Sequence, residues 1–167
     1  MSKFTAIRPP ELEDCDEFLS RVRASEALHR HWVSPPSDEE QFRAYVHRMR
    51  EPQNFGFLVV EQKTGNVAGV VNLTNVIFGA FRSGYLGYYA FAGFERQGLM
   101  RAGLLKVVSH SFRSLKLHRL EANIQPDNHA SIALVRSCGF EREGFSKKYL
   151  KIAGRWRDHE RWAIVAT

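Results

Sequence analysis

Apolar and polar positions alternate along this chain in blocks of two different periods. Thr5–Arg8 reads as a short strand. Pro9 and Pro10 then open an acidic segment, Glu11–Arg23, in which Leu12, Cys15, Leu19 and Val22 recur at helical spacing. Carboxylates in its first turn agree with the positive end of a helix dipole. A looser stretch, His29–Pro36, leads to a second predicted helix. Ser37 is its expected N-cap, Glu40 closes a capping box, and Phe42, Tyr45, Val46 and Met49 supply the apolar stripe. Three segments rich in Val, Tyr and Phe follow: Phe55–Glu61, Val67–Thr74 and Tyr85–Phe91. Turn signals at Thr64–Asn66 and Gly79–Gly84 separate them, and hairpin spacing makes them antiparallel neighbours. A long helix is predicted from about Gly98 to Leu115, with Leu99, Ala102, Leu105, Val108, Phe112 and Leu115 on one stripe. Then come a strand, Arg119–Ile124, and a helix that starts at Asn128 or His129 and stops at Cys138–Gly139. Phe145–Ile152 and Trp156–Val165 close the chain as a hairpin around Ala153–Gly154. The order β-α-α-β-β-β-α-β-α-β-β describes an α+β or mixed α/β sheet layered with about four helices.

Size and composition narrow the function classes. The 167 residues contain no internal repeat, low-complexity segment or long linker, so one domain over residues 1–167 is expected. With 44% hydrophobic and 25% charged residues, the chain is neither a disordered tail nor a disulfide-built miniprotein. Apolar runs such as Phe57–Val60 fall far short of the ~20 residues of a membrane helix. Met1–Thr5 lacks the apolar core of a signal peptide. Cys15 and Cys138 are too few for a disulfide framework and match no metal spacing, so a reducing cytoplasm is the expected home. The net charge of +6 suits an anionic partner: nucleic acid, a phosphorylated cofactor or an acidic peptide. Much of the excess lies late, with eight Lys/Arg against four Asp/Glu between Arg136 and Arg161, a pattern that also fits a plain solvated face.

Chemistry concentrates at Tyr88–Gly103, where a strand gives way to a loop and then to the long helix at Gly98. Unpaired amides at a helix N-terminus converge on one spot, and the dipole adds positive potential there. Gly98 removes a side chain where a phosphate needs close backbone approach, and Arg96 and Arg101 add cationic charge. A pyrophosphate cradle without a metal is one reading; a simple strand-to-helix turn is the other. The stretch is neither a Walker loop nor the three-glycine dinucleotide fingerprint.

The same stretch resembles the GNAT N-acetyltransferases, whose pattern here is Gln/Arg-x-x-Gly-x-Gly/Ala; the residues in place are Glu95-Arg96-Gln97-Gly98-Leu99-Met100. HRLEANIQPDNHAS (His118–Ser131), GFEREG (Gly139–Gly144) and YLKIAGRWRDHERWA (Tyr149–Ala163) resemble the RimJ/RimL branch of ribosomal-protein-alanine N-acetyltransferases. So does GVVNLTNVIFGAFRSGYLGY (Gly69–Tyr88). The resemblance runs through residues 55–165 and is loose before them. Two positions depart from the pattern. Glu95 replaces Gln/Arg and is expected to point away from phosphates, and Met100 replaces a small residue, acceptable in ordinary helical dihedrals.

The resemblance implies a GNAT fold: a central, mostly antiparallel twisted sheet in which a parallel strand pair splays apart to admit acetyl-coenzyme A. Those strands would be Tyr85–Phe91 and Arg119–Ile124. Backbone groups of Tyr88, Ala90 and Phe91 would pair with the pantetheine arm, amides of Arg96, Gln97, Gly98, Leu99, Met100 and Arg101 would hold the pyrophosphate, and Asn128 and Ser131 would lie near the sulfur. Direct attack of an amine on the thioester needs a neutral amine, an oxyanion donor and protonation of the leaving thiolate. The N–H near Ala90 is the implied oxyanion donor. Ser131 is the candidate acid, or else a residue bonding within its own helix. Glu121 and Asn123 share one strand face beside the cleft. Glu121 is a candidate base or an ion-pair partner of Arg119, and Asn123 a holder of water or of the amine.

Other residues have two readings as well. His29 and His31 look like a metal pair, but without further ligands they read as surface or substrate-rim histidines. Trp32 lines a pocket or packs under a loop, and Cys138 reads as core. Lys147, Lys148, Arg155 and Arg157 attract an acidic peptide or ribosomal RNA, or are simply solvated. The reading is an acetyl-CoA-dependent enzyme acting on a protein N-terminal amine, with a ribosomal protein as expected partner, no membrane partner and no metal. Whether it is monomer or homodimer stays open. The rivals are a small-amine acetyltransferase (amino acid, polyamine or antibiotic) and a basic RNA-binding module.

Overall fold

A computed structural model describes residues 4–167; Met1–Lys3, part of the N-terminal stretch read for a signal peptide, lie outside the described residues. The strands are β1 (Thr5–Arg8), β2 (Phe55–Glu61), β3 (Val67–Ile77), β4 (Ser83–Ala90), β5 (Arg119–Ile124), β6 (Glu141–Ile152) and β7 (Arg155–Val165). They form one sheet in the order β1-β2-β3-β4-β5-β7-β6. Every neighbouring pair is antiparallel except β4 and β5, which run parallel. The helices are α1 (Cys15–Ala24), α2 (Glu26–His29), α3 (Glu39–Arg48), α4 (Leu99–Arg113) and α5 (His129–Ser137). No helix among the described residues is long and apolar enough to cross a membrane.

Strand alternation divides the core between the two faces of the sheet. Phe57, Val59, Val71 and Leu73 pack with α4 and α5 residues such as Leu104, Val107 and Val135. Leu58 and Val70 point the other way, onto Phe18, Phe42, Tyr45 and Val46 of α1 and α3. The α4 helix lies close because Gly103 faces β2: a Cβ there would come within 2.6 Å of the Val59 side chain.

The mixed α+β sheet matches the pattern of the sequence, and several boundaries move. The N-cap of α3 is Asp38, not Ser37. Asp38 is extended and its carboxylate accepts the Gln41 amide at 2.8 Å. The Gln41 side chain in turn accepts from the Ser37 amide, so Glu40 closes no box. A single turn, α2, precedes the loose stretch, and a 3-10 turn over Leu12–Asp14 leads into α1. Phe91 falls just beyond β4. β3 runs on to Ile77, and β6 begins at Glu141 rather than Phe145.

Candidate active site

The sheet opens between its two parallel strands. β4 pairs with β3 as far as Ala90, whereas its register with β5 ends at Leu86 and Ala122. Phe91 N–H donates to Ala68 C=O at 2.9 Å. In an antiparallel ladder alternate residues face the same neighbour, so the backbone groups of Tyr88 and Ala90 turn away from β3, toward a strand that has already departed. One of them is held from outside the sheet: the Ala90 carbonyl accepts from His29 Nε2 at 2.6 Å.

The N-terminus of α4 closes one end of this gap. Gly98 caps the helix at φ +76°, and the first intrahelical bond runs from Ala102 N–H to Gly98 C=O at 3.0 Å. The amides of Leu99, Met100 and Arg101 therefore precede any intrahelical acceptor. Glycine stands at position 98 because of its left-handed dihedral. A Cβ there would meet no protein atom within 4 Å, so the space beside the residue is open. Glu95 Oε2 accepts the Gly93 amide at 2.6 Å, which holds the carboxylate against its own turn. Met100 is helical and buried, its sulfur beside Gly69. Arg101 reaches the other wall, donating to Ser137 C=O at 3.2 Å.

The N-terminus of α5 forms the second wall. Asn128 caps it, its Oδ1 accepting the Ser131 amide at 3.2 Å. The Tyr88 hydroxyl donates to Ser131 C=O at 3.0 Å, and burial pushes that phenol well above its ordinary pKa. Capping therefore engages the Ser131 backbone and leaves its hydroxyl for the cleft. Asn123 also lines the cleft, and its enclosed Oδ1 finds no donor among the described residues.

These parts enclose one cleft of about 1120 Å³. Of the residues singled out from sequence, Tyr88, Ala90, Arg96 and Gly98 line it, as do Met100, Arg101, Asn123, Asn128 and Ser131. Phe91, Gln97, Leu99 and Glu121 do not. Phe91 is wholly buried in the α1/α3 core and both its backbone groups are engaged, N–H with Ala68 and C=O with Phe94 N–H, which corrects its expected pairing with the arm. The Gln97 side chain donates back to Gly93 C=O, and Leu99 is buried, so each has a main-chain amide to offer but no side chain. Glu121 accepts from Arg119 Nε at 2.8 Å, and Arg119 also bonds Glu143. Of the two readings of Glu121, the structure displays the ion pair with Arg119, and the carboxylate lies outside the cleft lining.

Three histidines also reach the cleft: His129 is exposed, and two are buried. His29 was expected at a surface or rim, yet it is 5% exposed and rests against Tyr89 and Phe91. His159 was not singled out at all; it is 3% exposed, and its Nδ1 lies 2.9 Å from Arg157 C=O. Burial pushes both imidazoles below their ordinary pKa, against the opposing pull of those carbonyl bonds. The Asp-His pair within the closing hairpin was the available signal, hidden among alternating charges. Trp32 lines the cleft too.

The family model described as acetyltransferase (GNAT) domain matches residues 5–141. This chain belongs to the GNAT family. Ribosomal protein uS5-alanine N-acetyltransferase of Escherichia coli is 37% identical over 119 residues, 71% of this chain and 60% of that protein. Probable N-acetyltransferase YjcK of Bacillus subtilis is 28% identical over 172 residues, 95% of this chain and 92% of that protein. The structure of Mycobacterium smegmatis RimJ in complex with CoA-disulfide superposes with a TM-score of 0.89 at 27% identity, covering 97% of this chain and 82% of that one. This GNAT protein is thus an N-acetyltransferase that uses acetyl-CoA. Its own residues fit that ligand: amides without intrahelical acceptors at α4, an orphaned acceptor on Asn123 and backbone turned into an unpaired gap.

Proposed function

We propose that this GNAT enzyme acetylates the N-terminal α-amine of a protein, with a ribosomal protein as the expected acceptor. One observation carries the reading. Glu95 is the sole carboxylate among the described residues lining the cleft, and it is already held by the Gly93 amide. A polyamine would need acidic partners for its second and third charges, because an unpaired cation in a partly desolvated cleft is costly. A chain terminus brings one amine followed by neutral peptide. Leu28, Trp32, Val33, Leu150 and Ile152, from α2, the segment after it and the closing hairpin, give that peptide an apolar bed.

Protonation chemistry agrees. An α-amine with a pKa of about 7.7–8 is roughly one-tenth neutral at pH 7, whereas a lysine amine near 10.4 is neutral about once in two thousand. A site without a strong base serves the first far better. Bound acetyl-CoA supplies an acetyl group activated as a thioester. The amides of Leu99, Met100 and Arg101, with Arg96 and Arg101 side chains, would hold its diphosphate. Tyr88 and Ala90 would pair along the pantetheine arm, and the Ala90 N–H would face the developing oxyanion. Asn128 orients α5 so that the Ser131 hydroxyl stands ready to protonate the leaving sulfur.

The test is a mass-spectrometric acetylation screen with peptides of free N-terminus, amino-blocked peptides containing lysine, spermidine and free amino acids in parallel. Acetylation of the free peptide N-terminus is expected at a rate at least tenfold above the others. Preference for spermidine or for lysine would overturn the acceptor assignment.

A further inference from the structure

We propose that His159 is the base that takes the proton from the attacking amine, with its Nε2 facing the open end of the β4/β5 gap. The inference rests on the reading of the cleft as an acetyl-CoA and amine site, and extends it to a residue for which the family likeness gives no role. Its position comes from the register. Ile124 and Glu160 are the last paired residues of β5 and β7, and His159 is the next residue along, just past the end of β5 where β4 has already separated. Alternation places His159 on the same face as Arg161, which lies opposite Asn123. Glu160 and Trp162 occupy the other face, with Trp162 in the core under α5. His159 and Asn123, whose Oδ1 is unpartnered among the described residues, therefore line the same cleft from adjacent strands.

The hydrogen bond of the ring decides its tautomer. A carbonyl oxygen only accepts, so the 2.9 Å contact from Nδ1 to Arg157 C=O puts the proton on Nδ1 and the lone pair on Nε2. Burial pushes the ring below its ordinary pKa, so it is neutral at pH 7. The charged and titratable groups around it are Asp158, which opposes that shift, Tyr149 of β6 at 6.2 Å between ring centroids, Arg157 and Arg161 of its own strand, and Glu121 on the same face of β5, paired with Arg119. His29 cannot take the role: its Nε2 is engaged by Ala90 C=O and its Nδ1 is enclosed without a partner.

The amine nitrogen forms a C–N bond to the acetyl carbonyl carbon, its surplus proton passes to His159 Nε2, the C–S bond breaks, and the sulfur takes one proton from the Ser131 hydroxyl, which solvent restores. His159 returns its proton to solvent.

His159→Asn separates the two ring nitrogens, since the Asn amide can still donate to Arg157 C=O but has nothing in place of Nε2. On whichever amine the screen shows to be acetylated, kcat is expected to fall about a hundredfold, with the Kd for acetyl-CoA within twofold of wild type. In the wild type the slope of log kcat/KM against pH should steepen from one to two below pH 6.5, as first the amine and then His159 become protonated; in the variant it should stay at one. Wild-type turnover, or a slope of two retained without His159, overturns the proposal. Imidazole NMR of the free wild-type enzyme provides a readout that needs no folded variant and no turnover. His159 protonated on Nδ1 and titrating below pH 6.5 supports the role, and an Nε2-protonated ring overturns it. Failure of the peptide reading would be seen in the screen itself, separately from either result.

Discussion

His29 ties the acceptor side of the cleft to the strand that flanks it. Its Nε2 satisfies the Ala90 carbonyl that β5 no longer reaches, so the ring acts as a substitute for a missing strand. His29→Gln preserves a donor near the Nε2 position, whereas His29→Ala leaves a buried carbonyl unpaired. The alanine variant is expected to lose about 1–3 kcal/mol in urea unfolding and the glutamine variant clearly less. The two buried histidines also set a pH dependence. Each has a folded pKa below 6.5, so the unfolded chain binds more protons below that pH. Their contribution is complete above pH 6.5 and is lost as pH falls through the folded values. Urea midpoints measured from pH 7.5 down to 5 should decline, and His29→Gln should flatten part of that decline. Asp14 acts in the same sense at lower pH: burial raises its carboxyl, but Arg8 at 2.7 Å and the Glu11 amide more than offset that. Asp38→Ala tests the cap of α3 alone. A loss of about 1 kcal/mol with unchanged turnover is expected, because the cap lies outside the cleft.

At the scale of elements, α4 links packing to ligand binding. Its approach to β2 depends on Gly103, where a Cβ would press on Val59. Gly103→Ala should destabilise by about 1–3 kcal/mol through overpacking, seen as a lower urea midpoint. Gly98 lies at the other end of the effect. Gly98→Ala pays the left-handed dihedral, about 1–2 kcal/mol, while Gly98→Asp adds a carboxylate beside the amides and should weaken acetyl-CoA at least tenfold by titration. These elements also show what the sequence made legible. β2 and β5 are legible to the residue, because clear turns bound them, with an aromatic and Val-rich run in β2 and strict polar–apolar alternation in β5. The single turn of α2 has too few residues to display a period, and so His29 was read as rim. Spacing put Glu121 and Asn123 on the correct face, but whether a carboxylate is free depends on Arg119 two residues away and Glu143 on β6, contacts no spacing reveals. His159 is not legible from pattern because tertiary packing beside β6 buries it, while the charged residues flanking it in sequence have the pattern of a surface.

Over the whole molecule, one strand departure organises everything else. Five of the six neighbouring strand pairs are antiparallel, and the parallel pair holds together through only four registers before it separates. The α4 amides, the α5 cap and the closing hairpin all meet at that separation. A ligand that spans it should stabilise the fold by mass action. At a hundred times its Kd, acetyl-CoA is expected to contribute about 2.7 kcal/mol, a rise in Tm of roughly 5–10 °C for a chain of this size. The gain should shrink at high salt, since cationic Arg96 and Arg101 stand exposed at the cradle. The most direct measurement is an amide NMR titration of the wild-type enzyme with acetyl-CoA. The largest shifts are expected at Leu99, Met100 and Arg101, together with Tyr88 and Ala90 across the gap. Saturable binding that leaves those five amides unmoved would contradict the cradle at the head of α4.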